Sequence, residues 1–146
     1  MGTIAHVLTA KGPQVHTIRP TDTVFEAVKK MVELNSGSLL VTEGDAIHGI
    51  ITERDYLRNI VLAGRTSKTT QVREIMTSQI VVVKPDTLVE EAMAIMTDRR
   101  IRHLPVVDQG KLGGIVSIGD LVKQISQDRQ FEVQYLTDYI TGRYPG

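Results

Sequence analysis

Two seven-residue segments of the chain carry side chains whose types and spacing suit a binding site. Each reads glycine, two aliphatic residues, a hydroxyl residue, two variable residues and an aspartate. These segments are residues 49–55 and 114–120. The hydroxyls of Thr52 and Ser117 each precede an aspartate, Asp55 or Asp120, by three positions. A hydroxyl and an acid at this spacing form a capping box, so one interpretation is that each segment only caps a helix.

The same atoms also suit a nucleotide. Free backbone amides at the positive end of a helix attract phosphate, a hydroxyl can bond to it, and a carboxylate can accept hydrogen bonds from two ribose hydroxyls. Gly49 and Gly114 leave room for a close approach to the backbone. The residues alone therefore leave two interpretations open, a structural cap and a site for a sugar and its phosphate.

An internal duplication positions the two segments. At an offset of 65 residues, positions 15–58 align with positions 80–123 without a gap, and ten of the 44 pairs are identical. Average composition predicts roughly three identities over such a stretch. A unit of about 45 to 60 residues is marginally stable alone, so we expect the two copies to pack together as one two-lobed body.

Each copy is predicted to fold as strand, helix, strand, strand, helix. In copies one and two respectively, the predicted segments are first strands 15–19 and 80–84, hairpins 39–52 and 104–117, and closing helices 54–62 and 120–126. The N-cap of the first helix is Asp22 or Thr23 in copy one and Asp86 or Thr87 in copy two. The predicted fold class is therefore α+β, with two β-α-β-β-α repeats packed pseudo-two-fold through their sheets.

Further helices are predicted outside the duplication. One spans Thr3–Lys11, with Thr3 as N-cap and Gly12 after its last turn, and a single helical turn over 72–76 follows the polar linker 63–70. A C-terminal amphipathic helix carries Phe131, Tyr135, Leu136, Tyr139 and Ile140 on one face. This face either folds onto its own chain or contacts a second copy. The predicted domains are 1–66 (N-terminal helix and repeat one), 67–130 (linker and repeat two) and 131–146 (C-terminal helix).

Composition excludes several classes of protein. Seventeen basic residues balance seventeen acidic ones, so no net field attracts a phosphate polymer and nucleic acid is not an expected partner. The absence of cysteine excludes disulfides, thiolate nucleophiles and Cys-ligated zinc. Apolar runs fall far below the roughly 18 residues that a membrane helix needs, so we expect a soluble cytoplasmic protein. The histidines lack metal-binding spacing, and no metal site is predicted.

The two segments, their spacing from Pro20 and Pro85, and the Arg-His-Leu-Pro-Val run at 102–106 resemble the cystathionine-β-synthase (CBS) domain pair, or Bateman module. The resemblance covers about residues 15–123. It implies a regulatory module that binds an adenosine ligand in the cleft between its repeats: AMP foremost, or ADP, ATP, NAD or S-adenosylmethionine. We further expect a homodimer that signals energy state to an unknown partner protein in trans.

The resemblance also implies the site residues. Asp55 and Asp120 would accept the ribose hydroxyls, and Thr52 and Ser117 would lie on the phosphate side. The base would lie against strand residues of both copies. These are Thr17, Ile18, Ser38, Val82, His103 and Pro105. Apart from the resemblance, if the two copies face each other, Arg54 and Arg102 would both serve phosphates, one directly and one across the cleft, while His103 has the alternatives of binding phosphate, sensing pH or a structural role.

The copies differ where charge matters. Copy two has Arg102, His103 and Pro105 where copy one has glycine, serine and leucine, so we expect two unequal sites.

Two alternatives to a nucleotide sensor remain. The first is an interaction or dimerisation scaffold that binds no ligand and works through its aromatic C-terminal helix. The second is a nucleotide hydrolase with Asp55 or Asp120 as base. The sequence disfavours the hydrolase, because it has no Ser-His-Asp set, no carboxylate cluster for magnesium and no phosphate-binding Gly-Lys loop. We therefore expect no catalytic residue.

Overall fold

The computed structural model describes residues 2–12 and 15–140, with side chains up to residue 130. The first repeat contains β1 (Thr17–Ile18), α2 (Val24–Leu34), β2 (Ser38–Glu43), β3 (Ala46–Thr52) and α3 (Glu53–Tyr56), which continues as a π-helix over Leu57–Val61. The second repeat contains α5 (Val89–Arg99), β4 (His103–Asp108), β5 (Lys111–Ser117) and α6 (Ile118–Ile140). Two helices precede these repeats in the chain: α1 (Ile4–Lys11) and α4 (Val72–Ile75). The mixed α and β fold class is thus confirmed.

Both predicted hairpins form, and their registers match. Ser38 pairs with Thr52 in the first hairpin, and His103 pairs with Ser117 in the second. β1 adds a parallel strand to the first hairpin. The segments 49–55 and 114–120 therefore lie at the same place in each repeat, where the last strand of the hairpin meets the following helix.

The predicted strand over 80–84 is wrong in extent. It is reduced to one parallel bridge between Val83 and Val106. In the first repeat the backbone N–H of Leu40 donates to the His16 carbonyl at 3.1 Å, but Pro105 stands at the equivalent place and has no N–H to donate. Loss of that donor explains why the first strand of the second repeat is shorter.

The helix ends are partly as predicted. Thr23 caps α2 by accepting a hydrogen bond from the Glu26 N–H at 3.1 Å. The Asp86 or Thr87 cap is wrong, because α5 has Leu88 as its N-cap, and the Thr87 hydroxyl accepts instead from the Lys84 N–H at 3.1 Å.

The second closing helix and the C-terminal helix form one element. α6 runs for 23 residues without a break, although two separate helices were predicted. The side chains of its predicted aromatic face, residues 131–140, lie outside the described residues, as does Tyr144.

Each repeat has its own hydrophobic core. The first core includes Val24, Ala27 and Met31 of α2 and Leu39, Val41 and Ile51 of the hairpin, all nearly inaccessible to solvent. The second core contains Val89, Ala92, Met96, Leu104, Val106, Val116 and Leu121. The apolar periodicity of α2 and α5 thus faces the sheet of its own repeat.

The helices that precede the repeats, α1 before the first and α4 before the second, are called here the leading helices. Each packs into the core of the other repeat. Ile4 and Val7 of α1 are buried in the core of the second repeat, whereas Val72 and Ile75 of α4 are buried in the core of the first. The predicted domain 1–66 includes α1 because of its place in the chain, yet the buried side chains of α1 belong to the core of the second repeat.

Backbone hydrogen bonds repeat this exchange. The Ile4 N–H donates to the Thr87 carbonyl at 2.9 Å, and the Val72 N–H donates to the Asp22 carbonyl at 2.8 Å. Both bonds join the start of a leading helix to the turn before the first helix of the other repeat. The same contact made twice ties the repeats together reciprocally.

Gly49 of β3 provides a test of this packing. Thr77, just after α4, exchanges two backbone hydrogen bonds with Ile50 at 2.9 and 3.0 Å. A Cβ on Gly49 would lie far inside van der Waals distance of the Thr77 carbonyl oxygen. We expect Gly49→Ala to lower the free energy of unfolding by about 1–3 kcal/mol, because overpacking forces the backbones apart. Chemical denaturation measures this loss.

Gly113→Ala in β5 is the matched control, since the nearest atom to its added Cβ lies at 3.5 Å. Equal stability of the two variants would contradict the close approach at Gly49.

Candidate functional site

In each repeat the last strand of the hairpin meets the following helix at a corner, residues 52–55 in the first repeat and 117–120 in the second. Both corners contain a complete capping box. The Thr52 N–H donates to Asp55 Oδ2 at 2.9 Å, and the Asp55 N–H donates to Thr52 Oγ1 at 3.2 Å. In the second repeat the Ser117 N–H donates to Asp120 Oδ2 at 2.8 Å, and the Asp120 N–H donates to Ser117 Oγ at 3.1 Å. These residues therefore cap a helix in both copies. Each capping box uses only the Oδ2 oxygen of its aspartate.

The second oxygen of each carboxylate differs between the copies. Asp55 Oδ1 accepts a hydrogen bond from the Thr77 hydroxyl at 3.2 Å. Asp120 Oδ1 accepts no hydrogen bond from any described residue. Both side chains are half-buried, so a free lone pair on either can reach a ligand at the surface.

Lys11, the last residue of α1, holds the second aspartate. Its ammonium donates to Asp120 Oδ2 at 2.8 Å and to the Ile115 carbonyl at 2.9 Å. Burial opposes ionisation of Asp120, but the hydrogen bonds from Lys11 and from Ser117 outweigh it and lower the pKa of the carboxyl. The carboxylate is therefore charged at neutral pH.

Both aspartates thus receive a donor from an exchanged segment, Thr77 after α4 or Lys11 at the end of α1. Reasoning from the sequence missed both donors. They are separated from their aspartates by 22 and 109 positions, and neither belongs to a recognisable motif. Only the exchange of the leading helices brings them to the corners.

The residues predicted at the base pocket start the strands beside these corners. Ser38 is buried opposite Thr52, and His103 is half-buried opposite Ser117. Pro105 is buried and faces Ile115. The hairpin register therefore brings Ser38 to the first corner and His103 to the second, beside the predicted hydroxyl and carboxylate.

The first-strand residues Thr17, Ile18 and Val82 differ in their surroundings. Ile18 is part of the first core, and the Thr17 carbonyl accepts a hydrogen bond from the Lys30 ammonium. Val82 is 44% exposed and precedes the bridge at Val83. Ile18 therefore packs in the first core and Val82 presents an apolar surface, while contact of either residue with a base stays a prediction.

The two arginines lie near the helix starts. Arg54 is exposed in the first turn of α3, and Arg102 is exposed directly before β4. The Arg102 carbonyl accepts a hydrogen bond from the Ile118 N–H at 2.8 Å, so Arg102 is fixed to the start of α6 at the second corner. Its contact with phosphate, and that of Arg54, stay predictions.

His103 is neutral at physiological pH. Burial lowers its pKa, and the nearby charges of Lys11 and Arg102 lower it further, while Asp120 opposes them. An uncharged imidazole on this strand can donate one hydrogen bond and accept another.

The described part of the chain contains neither a metal-type cluster nor a helix of the membrane-spanning type. Within it, no group of three or more His, Cys, Asp or Glu side chains is placed to hold a metal ion. No helix among the described residues is long and apolar enough to cross a membrane.

Comparisons with known proteins agree with this architecture. The family model of the CBS domain matches residues 9–62 and 72–127. The mitochondrial CBS domain-containing protein CBSX3 of Arabidopsis thaliana is 44% identical over 151 residues, which covers 97% of this chain and 73% of that protein. The structure of a CBS-domain protein from Burkholderia ambifaria is 49% identical, with a TM-score of 0.84 over 87% of this chain and 96% of that one.

A hexameric CBS-CP12 protein from bloom-forming cyanobacteria is a more distant structural relative. It is 35% identical, with a TM-score of 0.73, and the match covers 83% of this chain and 70% of that one. The duplicated fold and these matches define a protein built from tandem CBS repeats. The chain belongs to the CBS domain family, as a CBS domain pair, which is a type of regulatory module.

The Asp120 carboxylate provides a test by pH. Its folded pKa lies below the ordinary value of about 3.9, so its stabilising contribution is present above about pH 4 and is lost as the pH falls through the folded pKa. We expect Asp120→Asn to be less stable than wild type by about 1 kcal/mol at pH 7. The difference should shrink in acid, as measured by urea denaturation at several pH values.

Asp86→Asn, at an exposed position before α5, serves as the control and should show a much smaller difference at pH 7. A deficit of Asp120→Asn that stays constant down to pH 2 would contradict the ionic contribution.

Proposed function

We propose that this CBS domain pair is a regulatory module that binds adenine nucleotides, AMP foremost, at its two corners and signals to a partner protein in trans. The observation that carries the proposal is the Oδ1 atom of Asp120 at the start of α6, which accepts no hydrogen bond from the described residues, while the donors bond Oδ2. An ionised, half-buried carboxylate with an open lone pair is a ready acceptor for a ribose hydroxyl. The capping box does not compete for that oxygen, so one aspartate can fulfil both roles.

Charge around the second corner supports a phosphate on the same ligand. Arg102 and Lys11 place two cationic groups near the start of α6, where the helix dipole also favours an anion. Arginine is well suited to phosphate because its guanidinium offers paired donors. The first corner has Arg54 in the corresponding role, but Gly37 and Ser38 where the second has Arg102 and His103.

A free backbone acceptor at the second corner supports a base with an amino group. Since Pro105 cannot donate, the Val81 carbonyl receives no backbone hydrogen bond from the described residues, whereas its counterpart at His16 receives one from Leu40. An adenine amino group is a suitable donor for such a carbonyl. The Thr17 carbonyl in the first repeat is already bound to Lys30. We therefore propose that the second site binds more tightly than the first.

Binding is tested by thermal denaturation with nucleotides. A ligand at 100 times its dissociation constant stabilises the folded state by about 2.7 kcal/mol, so AMP should raise the melting temperature by several degrees. Asp55→Ala combined with Asp120→Ala should abolish the response while the protein still melts cooperatively. Of the single variants, Asp120→Ala should lose more of the shift.

Absence of any shift with AMP, ADP, ATP, NAD and S-adenosylmethionine would refute the proposal and favour the scaffold. Each variant is compared with its own ligand-free melting temperature, because loss of the aspartate also weakens a helix cap.

The proposed module acts as a homodimer through the end of α6. This helix continues to Ile140, beyond the last residue of the second family match at 127, and a related CBS protein is hexameric. A cytoplasmic location of the protein stays a prediction.

Deletion of residues 131–146 tests the dimer. We expect the truncated protein to elute as a monomer, with the full chain as a dimer, in size-exclusion chromatography with light scattering. Retention of the AMP-induced thermal shift after deletion would separate assembly from binding. An unchanged oligomeric state after the deletion would show that the end of α6 does not form the contact.

A further inference from the structure

Lys11 is hydrogen-bonded to a carboxylate oxygen of Asp120 that the proposed ligand would need. A ribose diol that binds a carboxylate through both hydroxyls uses both oxygens of that carboxylate. Asp120 Oδ2 already accepts from the Ser117 N–H at 2.8 Å and from the Lys11 ammonium at 2.8 Å. Two donors fill its two lone-pair directions, so only Oδ1 is open while the lysine stays in place.

The contact is more than a chance surface pair. The Lys11 ammonium also donates to the Ile115 carbonyl at 2.9 Å, and the side chains of Lys11 and Asp120 are 33% and 24% exposed. α1 is anchored beside it, with Ile4 and Val7 in the second core. The buried side chains of α1 and the second hydrogen bond of the ammonium therefore fix the position of Lys11 at the second corner.

At the first corner no ammonium or guanidinium of the described residues contacts Asp55. There Asp55 Oδ2 accepts from the N–H and the hydroxyl of Thr52 at 2.9 and 3.1 Å, and Oδ1 accepts from the Thr77 hydroxyl of the exchanged segment at 3.2 Å, so every donor is neutral. A neutral hydroxyl bonds a carboxylate less strongly than an ammonium does, and a ribose hydroxyl can replace it like for like. The two repeats therefore differ in the charge of the donor that a ribose hydroxyl must displace, and only the second has a cation in that place.

We propose that Lys11 is an affinity-setting gate on the second site, whose ammonium competes with the ribose diol for Asp120. The inference rests on the proposed nucleotide binding and deepens it. Ligand binding breaks the Lys11–Asp120 pair and releases the C-terminal end of α1 from the corner. Occupancy of the second site is thereby linked to the position of a helix that precedes the first repeat.

Adenosine is the diagnostic probe, because it has the ribose diol and no phosphate for the lysine to attract. Its affinity is measured by isothermal titration calorimetry for wild type, Lys11→Met and Lys111→Met. Methionine keeps most of the lysine stem and removes the charge. Lys111 is exposed at the start of β5, so its variant changes net charge equally without touching the corner.

We expect Lys11→Met to bind adenosine about fivefold more tightly than wild type, the fold-change that corresponds to losing one partly exposed ion pair. Lys111→Met should match wild type. For AMP the gain should be smaller, since removing a nearby cation also weakens attraction to the phosphate. If Lys11→Met lowers the melting temperature of the free protein, Lys11→Gln provides a second uncharged variant.

Equal or weaker adenosine binding by both Lys11 variants, with wild type binding AMP, would overturn the gate alone. An equal gain in Lys111→Met would also overturn it, because the effect would then come from overall charge. If neither adenosine nor AMP binds to wild type or to either variant, nucleotide binding itself fails and the gate fails with it.

Discussion

The reciprocal exchange of leading helices is the constraint on which the rest of the structure depends. Ile4 and Val7 complete the core of the second repeat, and Val72 and Ile75 complete that of the first. Removing either helix would open a core to water, and each fully buried aliphatic side chain contributes about 1.5–3 kcal/mol. The same exchange brings Lys11 and Thr77 to the two aspartates, so stability and the chemistry of the corners have one origin.

The aspartates show how a helix cap and a binding group can share one side chain. In both repeats the cap uses Oδ2 together with the preceding hydroxyl. The donor from the exchanged segment differs: the Thr77 hydroxyl bonds the remaining oxygen of Asp55, whereas the Lys11 ammonium bonds the capping oxygen of Asp120. Two nearly identical motifs therefore present different chemistry because of residues far from them in the chain.

Local structure was largely predictable from the sequence, and long-range structure was not. The duplication, both hairpins and the Thr23 cap follow from short-range spacing and residue type, which local backbone physics controls. The strand at 80–84 failed because Pro105 acts through a partner strand. The exchange of α1 and α4 and the gate at Lys11 depend on tertiary packing that no local pattern encodes. Ser38 and His103 could be placed because hairpin register carries them opposite Thr52 and Ser117.

The exchange of α1 and α4 also bears on the origin of the fold. A chain with a single repeat and its leading helix could not fill its own core with that helix in the geometry seen here. Two such chains could do so by domain swapping, each lending its helix to the other. Fusion of the two genes would turn that intertwined pair into one polypeptide without altering either core. The two halves of such a fusion can differ in sequence, as they do here at the corners, where Lys11 contacts one aspartate and Thr77 the other.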